Sequence, residues 1–282
     1  MTLPDATTKD GYPLELAVQA RRMSLYVATV LGDLLDQIVI VGGLIPYLIV
    51  DQAEAGRELH VGTRDLDLGL ALAVLKQSRY HEIATRLREA GFSPATKGDT
   101  GNRIRQTWAF SGANITIDFL IGAARGLRGG TLQDLETDLA AVVTPALPLA
   151  FLDSLEVEID DVTILGERAK RTVRECGPAA FVALKAHAIL GRKKDKDAYD
   201  LVYLLANYGD GSGRDVIDRY RLIERHAEAQ EALRILADEF ETIEHVGPRR
   251  RAAFLGDAGH AGYRQDAVGV VAQFLRGVRR GK

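Results

Sequence analysis

The chain has 282 residues, 46% apolar and 27% charged, a balance that excludes global disorder and supplies a core without covalent staples. One cysteine, Cys176, excludes an intramolecular disulfide, and the lack of any run of about 18 apolar residues excludes an ordinary transmembrane helix. The net charge of −3 is uneven: Pro248 to Lys282 holds eight Lys and Arg against two acids, so this segment carries +6 and the remainder −9.

The start, MTLPDATTKDGYP, lacks the basic and apolar stretches of a secretory signal, so a soluble cytoplasmic protein is expected. Residues 14–36 place Leu14, Val18, Met23, Val27, Val30, Leu31 and Leu34 at mostly helical spacing, which predicts an amphipathic helix. Ile38 to Val41 is a β-branched run suited to a buried strand. Gly42-Gly43 ends it, and Pro46 opens a helix over 46–55. Arg64 to Leu70 alternates polar and apolar residues, the strand period. A helix is expected over 77–90. Ile104 to Phe110 and Ile115 to Leu120 read as paired strands joined at Ser111 to Asn114. Residues 131–141 read as a helix, and Leu155 to Leu165 as a hairpin around Asp160-Asp161. Beyond Gly177 the patterns are helical: 179–190, 197–208, 214–245 and 266–278. The expectation is an α+β fold, with a mixed-sheet domain over 1–175 and a helical domain over 176–282.

Four constellations carry chemistry. In Asp65-Leu66-Asp67 the strand period sends both carboxylates to one face. Like charges side by side call for a cation, and Mg²⁺ takes carboxylate oxygens together with substrate phosphates. Taken alone, such a pair is more often a half-exposed strand edge. Asp118, in Ile115-Thr116-Ile117-Asp118-Phe119-Leu120, opposes the apolar face of its own strand. It faces either solvent or the cleft of Asp65 and Asp67, where it would complete a two-metal site. Gly42-Gly43 is either a tight turn or a backbone cradle for phosphate. It matches neither the dinucleotide fingerprint nor the Walker loop.

The fourth is Lys185 to Asp200. On one continuous helix Lys196 and Arg192 would lie about 20° to either side of Lys185, and Asp200 about 60° away. A break at Gly191 would put Lys185 and Asp200 on two adjacent helices instead. Lys193 and Lys194 fit a solvated loop, whereas Lys185 stands among apolar neighbours. His187 reads as a packed helix residue, since no second ligand sits at metal spacing. The cationic segment 248–282 suits an anionic partner, and the plainer reading of Arg249, Arg250 and Arg251 is a solvated loop.

VIVGGLIPYLIV, HVGTRDLDLGL, ITIDFL and KAHAILGRKKDKDAYDLVYLL, in that order, resemble the AbiEii/AbiGii-type nucleotidyltransferase toxins of the DNA polymerase β-like superfamily. The resemblance covers roughly 38–208. It implies an enzyme that moves a nucleoside monophosphate from an NTP to an acceptor and releases pyrophosphate. In this family the acceptor is often RNA, especially the 3′ end of tRNA, and an antitoxin encoded nearby is implied as a partner. The resemblance places Mg²⁺ or Mn²⁺ on Asp65, Asp67 and Asp118, with Asp118 activating the acceptor hydroxyl. It assigns the triphosphate to Gly42, Gly43 and Lys185, with Arg192 and Lys196 beside them. Asp200 is the functional acid of the Asp197-Ala-Tyr-Asp200 element. Two departures stand out. Leu44 replaces the usual Ser or Thr, and 21 residues separate Gly43 from Asp65, which points to an inserted loop near 52–62. The competing readings are a small-molecule or protein acceptor, and a non-catalytic nucleotide-binding module.

Overall fold

The computed structural model describes residues 6–52, 58–71, 77–97, 100–123 and 128–280. The fold is α+β. Contacts divide the chain into two units. One comprises 1–4, 14–44 and 62–176; the other comprises 5–13, 45–61 and 177–282. The second unit therefore takes two early pieces of the sequence as well as the last hundred residues. Most of the stretch between Gly43 and Asp65, 45–61, belongs to that unit. Residues 53–57 of the expected inserted loop lie outside the described residues.

The first unit opens with α1 (Leu14–Leu31), followed by a 3-10 stretch, Gly32–Gln37, where the sequence pattern had suggested one continuous helix. The remaining elements are β1 (Ile38–Val41), β2 (Asp65–Leu70), α3 (Gln77–Glu89), β3 (Phe92–Thr96), β4 (Arg103–Phe110) and β5 (Thr116–Ile121). They continue through β6 (Leu132–Glu136), β7 (Leu139–Val143), the short α4 (Leu149–Leu152), β8 (Ser154–Val162) and β9 (Arg168–Cys176); α2 (Ile45–Ile49) falls in the other unit. Among the described residues the sheet has nine strands. Seven run in the order β3-β4-β5-β2-β1-β9-β8, and β7 adds to β5 with β6 beyond it. Strands β1, β2 and β5 are central; β1 is buried on both faces, and β2 and β5 bury one apolar face each.

Two expectations about the sheet are corrected, and one strand was not expected. Residues 131–141 form no helix but the β6–β7 hairpin, because β7 pairs in parallel with β5 (Leu120↔Val142, Ile121↔Val143) and buries Leu139, Ala140, Ala141 and Val143. Burial on the sheet overrides the helical propensity of the segment. Asp160-Asp161 is no turn: β8 runs straight through it. The hairpin closes at 163–167 through Thr163 N–H to Glu167 O (2.8 Å), with Gly166 at φ +83°. Strand β3 escaped notice because Pro94 interrupts its pattern; it lies at the sheet edge, where proline is tolerated.

Glu175 on β9 is fully buried, and neither carboxylate oxygen has a hydrogen-bond partner among the described residues. Burial pushes its pKa up to about 7, against a weaker pull from Arg21. The unfolded chain therefore gives up this proton more readily than the folded one. The contribution of Glu175 is most favourable below about pH 4.5 and is lost as pH rises through 7. Relative to Glu175→Gln, the wild type should lose about 3 kcal/mol of stability between pH 4.5 and 8. Denaturant melts of both proteins across that range check this, and parallel pH profiles would contradict it.

The second unit holds α2 and six helices: α5 (Pro178–Gly191), α6 (Lys196–Asn207), α7 (Arg214–Tyr220), α8 (Ala227–Glu239), α9 (Val246–Phe254) and α10 (Ala261–Arg280). Helix α5 is apolar nearly all round and packs against α6, α7 and α8, the position such a helix requires. Helix α10 buries Ala267, Val271, Phe274 and Val278, one stripe at helical spacing. Tyr12, Val50, Tyr199, Tyr203 and Phe254 form a shared core cluster. The expected helix over 214–245 is two helices separated by the turns of 221–226. The expected helix over 46–55 ends at Ile49, with 53–55 outside the described residues. The arginine run is no loop. It lies in α9, where Arg250 donates to Ile189 O (2.7 Å) and Arg192 O (3.0 Å), and Arg251 donates to Tyr263 O. Arg249 is exposed. No helix among the described residues is long and apolar enough to cross a membrane.

Candidate functional site

Strand β2 buries Leu66, Leu68 and Leu70 on one face, which sends Asp65 and Asp67 to the other. Strand β5 does the same with Ile117, Phe119 and Ile121, leaving Asp118 on the opposite face. The two strands are parallel neighbours, and their register sets Asp67 directly beside Asp118. Each of the three half-buried acids offers a carboxylate oxygen, and these oxygens lie within 4.8 Å of one another. Thr63 is buried and donates to Asp65 Oδ1 at 2.6 Å, which fixes one carboxylate from the side. Three carboxylates this close repel one another unless a cation or proton intervenes. An all-oxygen, trianionic donor set fits a hard divalent ion such as Mg²⁺.

Gly42 explains part of this geometry. It takes φ +79°, and a Cβ there would stand 1.7 Å from Asp67 Oδ2. The glycine thus leaves room for the carboxylate as well as adopting a left-handed turn. Gly43 lies in the same 3-10 turn, Gly42–Leu44. Leu44 is fully buried, so the departure from Ser or Thr puts a core side chain where the family pattern has a hydroxyl.

In the second unit, Lys185 on α5 meets Asp197 and Asp200 on α6. The two helices are separate, so the single-helix stripe does not exist. Lys185 Nζ donates to Asp197 Oδ1 and to Asp200 Oδ2, both at 2.7 Å. Arg192 binds Asp197 through two nitrogens (2.8 and 2.9 Å), and Lys196 binds Asp200 Oδ1 at 2.8 Å. His60 adds a fourth partner, its Nε2 lying 2.9 Å from Asp200 Oδ1. Lys185, Lys196, Asp197, Asp200 and His60 are all buried, whereas the Arg192 side chain is 57% exposed.

Burial opposes every charge in this cluster, but the pairings prevail. Lys185 is held above its ordinary range by Asp197 and Asp200. Asp197 is held below its range by Lys185 and Arg192, and Asp200 well below by Lys185, Lys196 and His60. Among the described residues, Lys185, Arg192 and Lys196 surround Asp197 and Asp200, with His60 uncharged. An ammonium carries three protons, and two of those on Lys185 have acceptors. No described residue accepts the third.

His187 is a packed helix residue whose Nε2 lies 2.9 Å from Glu228 O. Two residues of these clusters went unmarked in the sequence, Thr63 and His60. A hydroxyl two residues before Asp65 was a readable signal for Thr63. For His60 there was none, because its partner is 140 residues away.

No curated protein matches the chain significantly. The sequence profile described as "Nucleotidyl transferase AbiEii toxin, Type IV TA system" matches residues 56–267. That span takes in Asp65, Asp67 and Asp118 together with the whole Lys185–Asp200 cluster. The chain belongs to the AbiEii nucleotidyl transferase toxin family of type IV toxin–antitoxin systems.

Proposed function

We propose that the chain transfers a nucleoside monophosphate from an NTP to the 3′ end of an RNA, such as tRNA, with release of pyrophosphate. In this reading it acts as a toxin opposed by an antitoxin encoded nearby. The observation that carries the proposal is the convergence of three carboxylates on adjacent strands beside Gly42. Asp65, Asp67 and Asp118 would hold Mg²⁺ or Mn²⁺. When bound, such an ion supplies Lewis-acid stabilisation of phosphate oxygens. Asp118 orients the acceptor hydroxyl and draws its proton as the oxygen attacks the α-phosphorus. Gly42 and Gly43 present backbone to the triphosphate. Lys185, with a proton to spare, and Arg192, with an exposed end, offset phosphate charge. Lys196 supports this pair through Asp200.

RNA is favoured as acceptor by the cationic end of an otherwise acidic chain. Among the described residues there, the exposed cations are Arg249, Arg276, Arg279 and Arg280. Arg250 and Arg251 are engaged within the helical unit. Changing the four exposed arginines to alanine should weaken RNA binding and flatten its dependence on salt, because fewer counterions are released. NTP binding should stay as it was. The direct test incubates the protein and Mg²⁺ with labelled NTPs and total cellular RNA, and separately with total protein. Label is expected in RNA. Label only in protein, or in neither, would defeat the RNA reading.

A further inference from the structure

His60 has no part in the roles just assigned, yet it is fully buried against Asp200. Its ring stacks on Tyr199, with centroids 5.5 Å apart at 25°, and packs on Tyr203 at 4.8 Å. These two contacts fix the imidazole plane. An ionised carboxylate can only accept, so Nε2 carries the hydrogen and Nδ1 is left as a lone pair. No described residue donates to Nδ1. The ring is therefore held for a single polar contact, the one to Asp200. Burial lowers its pKa to about 4, with the Asp200 bond opposing, and the imidazole is uncharged at neutral pH.

Asp200 divides its two oxygens. Oδ1 receives His60 and Lys196, and Oδ2 receives Lys185. Lys196 is four residues away on the same helix and on a flexible stem. His60 comes from outside that helix on a rigid ring.

We infer that His60 is a positioning residue: its Nε2–H pins Oδ1 of Asp200, so that Oδ2 stays on Lys185 and the third proton of that ammonium keeps one direction. A neutral donor does this without adding a charge to the cluster, whereas a cationic donor would add one. The inference rests on the proposed phosphate role of Lys185. Groups that orient a reacting side chain are typically worth ten- to a hundredfold.

The test uses the full chain, varying NTP at saturating acceptor and then varying acceptor at saturating NTP. His60→Leu should lower kcat/KM for the NTP by roughly ten- to a hundredfold and leave the KM for the acceptor unchanged. His60→Gln places an amide N–H near the position of Nε2 and should restore the value to within a few-fold. A purely structural role would not be rescued by the donor alone. If His60→Leu fails to fold, His60→Asn takes its place, since its shorter amide stops short of Asp200. The inference is overturned if the donor-less variant transfers like wild type, or if His60→Gln is no better than it while both melt normally. Lys185→Arg run in parallel separates the two claims. Wild-type transfer by Lys185→Arg removes the phosphate role and this inference with it. Slow Lys185→Arg beside normal His60→Leu removes only the His60 assignment.

Discussion

Asp67→Ala is expected to transfer no detectable label from NTP, a loss on the order of a thousandfold or more, while the protein melts at or above the wild-type temperature in metal-free buffer. The two halves of this result have one cause. Asp67 stands between Asp65 on its own strand and Asp118 on the next. Removing the middle charge relieves repulsion on both sides and destroys the site for the cation that would otherwise relieve it. Adding Mg²⁺ should therefore raise the melting temperature of the wild type and leave that of the variant nearly unchanged. Transfer by the variant at even a tenth of the wild-type rate would remove Asp67 from the chemistry. An equal metal-induced shift in both proteins would place the ion elsewhere.

The second large effect concerns Lys185. Lys185→Met should abolish transfer and also cost about 3 kcal/mol of stability, because it leaves Asp197 and Asp200 buried with one cation fewer. Lost activity in that variant alone would be ambiguous. Lys185→Arg keeps the charge, so it should melt within a few degrees of wild type. Its planar fork cannot reproduce the three-way geometry of an ammonium, and NTP turnover should fall by at least about tenfold. Denaturant melts and NTP titrations of the three proteins decide the matter. Stability lost with Met, regained with Arg, and turnover normal in Arg would make the lysine a structural counter-ion.

Much of the triad's surroundings was legible because strands reveal themselves at period two. In RDLDLGL and ITIDFL the apolar positions define one face, and each Asp falls on the other. What the pattern could not supply was register. Asp67 and Asp118 are neighbours only because β2 and β5 pair in parallel at that offset. The segment 131–141 was misread for a related reason. Its Leu, Glu and Ala content favours a helix locally, and only pairing with the end of β5 that β4 leaves uncovered, Leu120 and Ile121, turns it into strands. The fourth constellation showed its residues but not their bonding. A lysine among apolar residues marks a buried ion pair, yet one of its acids, Asp200, is also held by a histidine far upstream that no spacing rule connects to it. The arginine run misled in the other direction. Charge density suggested a solvated loop or a docking surface, while Arg250 and Arg251 spend their donors on backbone carbonyls within the helical unit.

The helical unit borrows 5–13 and 45–61 from the early part of the chain, and this has a consequence for synthesis. Residues 5–61 leave the ribosome long before α5 and α6 exist. Tyr12, Val50 and His60 must wait unburied for partners near 199–203 and 254. The Asp200 cluster cannot close until most of the protein has been translated, since its two contributions lie 140 residues apart. A growing chain that already carries Asp65, Asp67 and Asp118 thus has that carboxylate trio but not yet Lys185, Asp197 or Asp200. For a protein of a toxin family, the topology thus holds this cluster open until the chain has passed residue 200.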